Sequence, residues 1–495
     1  MLSVLKCVST IREVSSLKKL PIGISDFKEL IENDYLFVDT SLFVEEVFRE
    51  AAKCTLITRP RRFGKTLNMS MLRYFFDNTL DSFTLFKPLN IGKNTEVMQQ
   101  LNNYPTIFIT FKDVKNLNWY ATKVQLKSLI SKLYDDLYPS IKKGLKSSVE
   151  RKSYETIRNK TAKTPEYKSS LKFLTELLHR VYNKPVLLLI DEYDAPILSG
   201  WINGYYDNVI DFMKGFLSDG LKDNPFIFKG ILTGIYRVSK ESVFSGLNNL
   251  KVYSVFDEKY APYFGFTDSD IDYLIKALAI TPKTSIKENL KTWYKGYNVG
   301  SSVQYNPWSV IRYLDEGKLK AYWINTSSND LIRENIHRNM ERKSEFREEI
   351  TQLLKGNRIK KVIDDSACLN DLNTKTEAIW TLFIFSGYLK PQSQVLKNAK
   401  YECELVIPNK EILVFFQDTV MEWLKHPHIV KPAAASNRTH TTPQEASYLI
   451  YDSFSYKDMR KGNNHHLPYS IPWDIRTSHW WLLDKIKQKR WSGEG

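Results

Sequence analysis

The chain has 495 residues, of which 42% are hydrophobic and 13% aromatic, so it can form a sizeable core and is not mainly disordered. Its net charge of +15 favours an anionic partner, nucleic acid first, although a generally lysine-rich proteome would produce the same excess. No apolar run approaches the roughly 18 residues of a membrane helix. The four cysteines are far apart, without metal-ligand spacing. We therefore expect a soluble intracellular protein in an unspecified compartment, with no membrane partner.

The first part of the chain predicts a lead-in to a sheet. Residues 1–19 read as an N-terminal extension, or alternatively as a poor organelle-targeting segment. A helix is predicted over 27–33, with Ser25 or Asp26 as its cap. A strand-like piece over 35–39 and an amphipathic helix over 41–52 follow.

The next stretch has the pattern of a phosphate-binding loop. Residues 54–58 are apolar and β-branched and predict a buried strand, 59–64 form a loop, and a helix begins at Lys65. In such a strand–loop–Gly-Lys-Thr–helix unit, backbone N–H groups and the helix N-terminus cradle phosphate oxygens. Lys65 would add a positive charge, and the Thr66 hydroxyl would bind Mg²⁺.

One position departs from the usual P-loop pattern. That pattern has a glycine five residues before Gly64, where this chain has Arg59. Taken alone, the stretch could equally be an ordinary strand-to-helix turn whose lysine is solvated.

A second motif favours the nucleotide-binding interpretation. Within 184–192, the five residues 186–190 form an apolar run typical of a central parallel strand, and Asp191 and Glu192 follow at its carboxyl end, where open α/β sheets bind ligands. Asp191 would hold Mg²⁺ and Glu192 would polarise the attacking water. The alternative is a strand that simply ends in a polar loop.

Two further buried strands are predicted, over 105–111 and 226–234. In P-loop ATPases with a catalytic glutamate, the strand next to the acidic one ends in a polar residue that senses the γ-phosphate, and Thr233 is the candidate. Arg237 would reach phosphate charge in its own or a neighbouring subunit, which leaves a homo-oligomer open. The simpler alternatives are a strand-end hydroxyl and a structural salt bridge.

Other segments carry weaker signals. Residues 142–168 hold nine basic and three acidic side chains, and either contact nucleic-acid phosphates or form a solvated surface. The aromatic clusters 293–297 and 305–309 either stack on bases or pack a small domain. Residues 432–443 have the composition of a linker.

With these motifs laid out, the chain resembles the predicted AAA-ATPase-like family. Its phosphate loop is Arg-Pro-Arg-Arg-Phe-Gly-Lys-Thr over 59–66, which is that family's own form of the motif. The resemblance therefore implies that Arg59 is not a sign of a degenerate P-loop. The segments that carry the resemblance are 20–27, 35–39, 58–66, 189–197, 232–249, 263–267, 293–297, 305–309 and 385–389.

The resemblance implies an α/β fold: a P-loop NTPase domain with a parallel sheet flanked by helices over 20–265, and a mainly helical lid or winged-helix-like region over 266–428. Residues 429–495 would be a linker and divergent tail. Family members often end in a PD-(D/E)xK nuclease-like domain, but no strand-borne acid followed by Glu-x-Lys is evident here. We therefore expect no nuclease activity from this chain.

The resemblance also implies ATP and Mg²⁺ as cofactors. The metal would be held by Thr66 and Asp191, and catalysis would involve Lys65, Glu192, Thr233 and Arg237. The expected nucleotide-binding residues are Arg61, Arg62, Phe63, Gly64, Lys65, Thr66 and Leu67. The expected function is Mg²⁺-dependent ATP hydrolysis coupled to conformational change. The alternatives are a nucleotide-switched binding module with little turnover, a degenerate non-enzymatic family member, and DNA processing with a nuclease supplied elsewhere.

Overall fold

The computed structural model describes residues 18–236, 249–280, 284–324 and 329–425, except 368, 370 and 376. Three sequence predictions therefore lie outside the described residues: most of the N-terminal extension, Arg237, and the linker with the tail.

The described residues form eighteen α-helices, three short 3-10 helices and ten strands. The helices are α1 (Phe27–Glu32), α2 (Phe43–Arg49), α3 (Lys65–Phe76), α4 (Phe83–Phe86), α5 (Thr95–Met98), α6 (Trp119–Ile141), α7 (Ser148–Arg158), α8 (Thr164–Tyr182), α9 (Ala195–Ile202), α10 (Tyr206–Leu221), α11 (Asp268–Ala277), α12 (Thr284–Tyr294), α13 (Pro307–Glu316), α14 (Asp330–Arg342), α15 (Ser344–Leu354), α16 (Asp371–Thr374), α17 (Ala378–Phe385) and α18 (Lys410–Lys425). The strands are β1 (Cys54–Thr58), β2 (Thr106–Thr110), β3 (Val186–Asp191), β4 (Ile227–Gly234), β5 (Leu250–Tyr253), β6 (Lys295–Val299), β7 (Ser302–Tyr305), β8 (Ile359–Ile363), β9 (Lys390–Lys397) and β10 (Lys400–Val406).

The principal sheet has five parallel strands in the order β2-β3-β4-β1-β5. Thr58 at the end of β1 is level with Gly234 of β4, and Thr110 at the end of β2 is level with Asp191 of β3. The carboxyl ends of these four strands therefore meet at one edge of the sheet, the edge where open α/β sheets bind ligands.

The strand that separates β1 from β3 is β4, whereas β2 lies at the outer edge beyond β3. The predicted strand over 226–234 thus lies beside the acidic strand, as the expectation for a γ-phosphate sensor requires. Thr233 is level with Ile57 of β1, so β4 carries its hydroxyl to the same edge as the phosphate loop.

The strands β1 and β3 of this sheet are covered on both faces. Every residue of β1 and β3 is buried, and because side chains alternate between faces, such strands have no solvent-facing side. One core cluster is rich in aromatic residues from α1, α2 and α3, and the Phe27 and Phe86 rings stack within it at 4.9 Å. Burial of this core supplies the main driving force that holds α3, and with it the phosphate loop, on the sheet.

The lead-in to the sheet follows the sequence predictions in part. Helix α1 is capped by Asp26, whose side chain accepts from the N–H of Glu29 at 2.9 Å. The strand-like prediction over 35–39 is wrong, because this segment contributes only an isolated bridge between Tyr35 and Lys19. Its side chains pack into two different core clusters instead of joining a sheet.

The region after residue 265 is mainly helical, from α11 to α18, with two small antiparallel sheets. One is the hairpin β6–β7, and the other has the order β8-β10-β9. Throughout the described part of the chain, the helices are too short or too polar to cross a membrane.

Candidate functional site

The centre of the candidate site is the carboxylate of Asp191, which is fully buried at the carboxyl end of β3. Its Oδ2 atom accepts from the Thr66 hydroxyl at 2.8 Å, and its Oδ1 atom accepts from the Thr233 hydroxyl at 2.6 Å. The Thr110 hydroxyl, at the end of β2, donates to Oδ2 at 3.3 Å. Burial raises the pKa of Asp191 above its usual range, and the hydroxyl donors oppose that shift. The phosphate-loop motif and the acidic motif therefore meet at one carboxylate.

Lys65 lies in the same pocket of the fold, as the first residue of α3. It is buried, and its Nζ atom donates to the backbone carbonyls of Arg59 at 3.0 Å and Pro60 at 2.9 Å. Burial lowers its pKa, while the negative charges of Glu192 and Asp191, among others, oppose that effect. The ammonium group is thus held inside the loop that the sequence identifies as phosphate-binding.

The loop geometry explains the glycine just before this lysine. Gly64 is the residue that caps α3, with φ 79° and ψ 11° in the left-handed region. An L side chain is strained in that conformation. The chain therefore enters α3 with the first N–H groups of the helix open to the loop, the arrangement that favours anions.

Glu192 and Thr233 are linked across the gap between β3 and β4. The Glu192 N–H points to the Thr233 hydroxyl at 3.4 Å, and Glu192 has a positive φ of 48°. Its side chain is partly exposed, whereas Asp191 beside it is buried. The two neighbouring acids therefore have different surroundings, with the second facing solvent at the edge of the sheet.

Arg59, the residue in place of the usual glycine, is a buried anchor of the loop. Its guanidinium donates to the carbonyls of Thr58 and Ser254, each at 2.8 Å, and lies 5.4 Å from the centre of the Phe264 ring. Burial lowers its pKa to about 10, which the charge of Asp257 opposes. Arg59 therefore joins the phosphate loop to the chain that follows β5, and no glycine could make these contacts.

The other predicted loop residues have mixed environments. Arg62 places its guanidinium 4.6 Å from the centre of the Trp308 ring. Phe63 is buried against Tyr297, and Leu67 packs on the aromatic core. Phe63 and Leu67 thus stabilise the loop through apolar packing, and a role in binding would come from their backbone.

Asp194, which the sequence analysis did not assign to catalysis, shapes the end of β4. Its Oδ2 atom accepts from the backbone N–H groups of Ile235 at 2.8 Å and Tyr236 at 3.0 Å. The carboxylate is buried, which raises its pKa. It therefore fixes the turn that follows Thr233.

Sequence reasoning missed three residues of this site: Thr110, Asn306 and Trp308. The Asn306 side chain donates from Nδ2 to the backbone carbonyl of Arg61 at 3.4 Å. The predicted strand over 105–111 placed Thr110 near a strand end, which was a usable signal. The segment 305–309 was noted as an aromatic cluster, but nothing local ties Asn306 or Trp308 to the phosphate loop, because their contacts join segments far apart in the sequence.

The available oxygen atoms suit a hard cation. In the described residues there is no group of three or more His, Cys, Asp or Glu side chains that would form a metal cage. Mg²⁺ typically uses one or two carboxylates and binds substrate phosphates and water as its other ligands. Asp191 with the Thr66 hydroxyl at 2.8 Å fits that requirement.

Two known proteins are similar to this chain. The chain is 27% identical over 320 residues to a protein of Azotobacter chroococcum mcd 1 described as "Uncharacterized protein in vnfD 5′ region", an alignment that covers 63% of this chain and 55% of the relative. The chain thus spans little more than half the length of that relative. A Walker-type ATPase of Pyrococcus abyssi aligns with a TM-score of 0.36 and 16% identity, over 81% of this chain and 99% of that one.

A family model covers the phosphate loop and the acidic motif together. It is described as Predicted AAA-ATPase and matches residues 21–244. Those residues include Lys65, Thr66, Asp191, Glu192 and Thr233. The α/β segment over 21–244 therefore matches the predicted AAA-ATPase family model across both motifs.

Proposed function

We propose that this protein binds ATP with Mg²⁺ and hydrolyses it, and that hydrolysis is coupled to a conformational change. The observation that carries the proposal is the 2.8 Å hydrogen bond between the Thr66 hydroxyl and Asp191. It joins the residue after the loop lysine to the first acid of β3, although the two are 125 positions apart. A nucleotide site of this kind needs both groups within reach of one metal-bound triphosphate.

The residues divide the chemistry between them. The N–H groups of 61–66 and the Lys65 ammonium would hold the phosphates, and Thr66 with Asp191 would hold Mg²⁺. When bound, Mg²⁺ neutralises negative charge on the phosphate oxygens. The contacts of Lys65 with two loop carbonyls and of Thr66 with Asp191 support this division, since phosphate oxygens would compete with those carbonyls for the Lys65 ammonium.

Glu192 is proposed as the group that orients the attacking water. Its carboxylate is partly exposed beside a buried site, so water can reach it, whereas burial raises the pKa of Asp191. Thr233 would contact the γ-phosphate from β4, and Arg237 would complete the charge around it in this or a neighbouring subunit. Asp194 supports the Thr233 position, since it binds the N–H groups of the next turn.

The first experiment is calorimetric titration of ATP and GTP, with Mg²⁺, into the wild type and Lys65→Ala. We expect the wild type to bind ATP and Lys65→Ala to bind it at least tenfold more weakly, a loss equivalent to about 1.4 kcal/mol. The expected preference for ATP over GTP rests on the family resemblance alone. Equal affinity of the two proteins for ATP would contradict the assignment of the phosphate loop.

The second experiment separates turnover from binding. In a phosphate-release assay, Glu192→Gln should lose hydrolysis and keep ATP bound, because the amide preserves shape but cannot accept a proton. Asp191→Asn should lose turnover and show a weaker response to Mg²⁺. Hydrolysis by Glu192→Gln at the wild-type rate would remove Glu192 as the base. ATP binding by a wild type with no turnover would instead favour a nucleotide-switched binding module.

Nucleic acid is proposed as a further partner because part of the basic segment faces solvent. Lys142, Lys143 and Lys146 are exposed around the turn between α6 and α7, whereas Arg158 and Lys168 form ion pairs with acids. Binding through phosphates should weaken steeply with salt. Fluorescence anisotropy with labelled DNA and RNA at two salt concentrations tests this, and absence of binding at low salt would exclude it.

A further inference from the structure

The phosphate loop contacts the region after residue 265 through a cluster that we call the loop clamp, formed by Tyr297, Asn306, Trp308 and Gly387. Each member contacts a different residue of the phosphate loop. Asn306 donates to the Arg61 carbonyl at 3.4 Å, Trp308 faces the Arg62 guanidinium at 4.6 Å, and Tyr297 contacts the Phe63 ring at 5.1 Å between centres.

Gly387 adds the fourth contact. A Cβ atom built on it would lie 3.2 Å from the Cβ atom of Pro60 and 3.2 Å from the Tyr297 ring, and its φ is +84°. The backbone of the α17 end therefore passes close against the first turn of the phosphate loop. All residues from Pro60 to Phe63 thus have a partner in the loop clamp.

The clamp is itself rigidly held. Asn306 is buried, its side chain caps α13 by accepting from the N–H of Ser309 at 3.2 Å, and its own N–H donates to Tyr294 at 3.1 Å. The Ser309 hydroxyl contacts the buried Glu411 carboxylate at 2.8 Å, and Glu411 also accepts from the N–H of Trp323 at 2.9 Å. Trp308 therefore projects from a helix start that three other segments fix.

Arg62 is the loop residue whose conformation most needs support from the loop clamp. Its φ of 67° lies in the left-handed region, which is unfavourable for a residue with a side chain. The position needs support from surrounding contacts, and the guanidinium over the indole ring supplies an attraction of this kind. The negative charge of Glu192 also acts on Arg62, so this guanidinium interacts with both the clamp and the second acid of the site.

We propose that Asn306 and Trp308 are positioning residues of the nucleotide site: they hold the Arg61 carbonyl and the Arg62 guanidinium so that the loop is preshaped for phosphate. The region after residue 265 then contributes to nucleotide affinity without touching the nucleotide. This inference rests on the proposed ATP binding. The aromatic segment 305–309, which the sequence left between base stacking and domain packing, acts on the phosphate loop.

The test is a double-mutant cycle on ATP affinity, with Arg62→Ala, Trp308→Leu and the combined variant titrated with Mg-ATP. Because Arg62 is exposed and an exposed cation–π contact is worth about 0.5 to 1 kcal/mol, Trp308→Leu should weaken ATP binding by about two- to fivefold. If the indole acts through Arg62, the combined variant should lose clearly less than the product of the two single losses. A merely structural tryptophan would give losses that multiply.

The matched control is Trp293→Leu. Trp293 lies in the same region under a cation, with Lys410 at 5.2 Å from its ring centre, and the proposal expects Trp293→Leu to leave ATP affinity within twofold of the wild type. Trp308→Met serves as the second variant if Trp308→Leu does not fold. It keeps a large apolar side chain without an aromatic face, so the same loss is expected and the cycle is then run with Trp308→Met.

The outcomes separate the two proposals. A wild type that binds ATP, with Trp308→Leu folded and equally tight, would overturn the clamp inference only. Losses that multiply in the cycle would do the same. A wild type that does not bind ATP would overturn the proposed function, and the clamp inference with it.

Discussion

Replacing Arg59 by glycine would restore the residue that P-loops usually have at this position, and we expect it to damage the protein. The guanidinium is fully buried and donates to the carbonyls of Thr58 and Ser254, each at 2.8 Å. It also approaches the carbonyls of Tyr253 and Lys259 at 3.4 Å. The substitution leaves these acceptors without their donor.

The magnitude follows from three contributions. The loss of two charge-assisted hydrogen bonds costs about 3 to 6 kcal/mol, and the space left by the side chain adds about 2 kcal/mol. Against this, burial has lowered the pKa of Arg59 from 12.5 to about 10. Removing the desolvated charge recovers about 3 kcal/mol. The net expectation is a loss of about 2 to 5 kcal/mol in the free energy of unfolding.

The assay is urea unfolding of the wild type and Arg59→Gly, followed by circular dichroism, with ATP affinity measured on each folded protein. Arg61→Gly is the control, because it adds the same backbone freedom two positions on, where the side chain is only partly buried, and should cost about 1 kcal/mol. If Arg59→Gly were as stable as the wild type and bound ATP at least as tightly, the anchor role of Arg59 would be refuted.

Three further predictions concern single side chains around the site. Thr110→Val removes the 3.3 Å bond to Asp191 and should raise by about threefold the Mg²⁺ concentration needed for half of the ATP-dependent thermal stabilisation, whereas Thr110→Ser should not. Asp194→Ala leaves two buried N–H groups without an acceptor and should lower the free energy of unfolding by roughly 2 to 4 kcal/mol, with Asp194→Asn much milder, as urea unfolding would show. Burial raises the pKa of Glu411 from 4.5 to about 8, so the folded state keeps a proton that the unfolded state has lost. The free energy of unfolding of the wild type should therefore fall as pH rises from about 4.5 to 8, by on the order of 4 kcal/mol. Glu411→Gln should lack this decline in unfolding curves measured across that range.

The strands of the principal sheet were the most predictable part of the fold. Strand β1 begins and ends where the sequence placed it, at Cys54 and Thr58, and β3 and β4 differ from their predictions by at most two residues at an end. Buried parallel strands can be recognised in a sequence as apolar runs, because both of their faces need apolar side chains. The short β5, with two of its four residues polar or charged, carries no such signal and was not predicted.

The contacts around the phosphate loop were the least predictable part of the site. Gly64, Lys65 and Thr66 follow from a local pattern, because the chemistry of a phosphate loop is built from consecutive residues. The partners of Arg61 and Arg62, in contrast, come from Asn306 and Trp308, about 245 positions later. Side chains such as Asn and Trp at the start of a helix have many ordinary uses, so only the three-dimensional contact shows which use applies here.

The way Asp191 is held also bears on how the site would load a metal. Thr66 and Thr110 donate to one carboxylate oxygen and Thr233 to the other. If the Thr66 hydroxyl turned to a bound ligand, the buried carboxylate would still keep a donor on each oxygen. A buried carboxylate that lost every donor would face the full cost of desolvation. Loading would therefore exchange one hydrogen bond among three. Because Thr233 also receives the Glu192 N–H, the backbone of the proposed base would stay tied to the acid that would hold the metal.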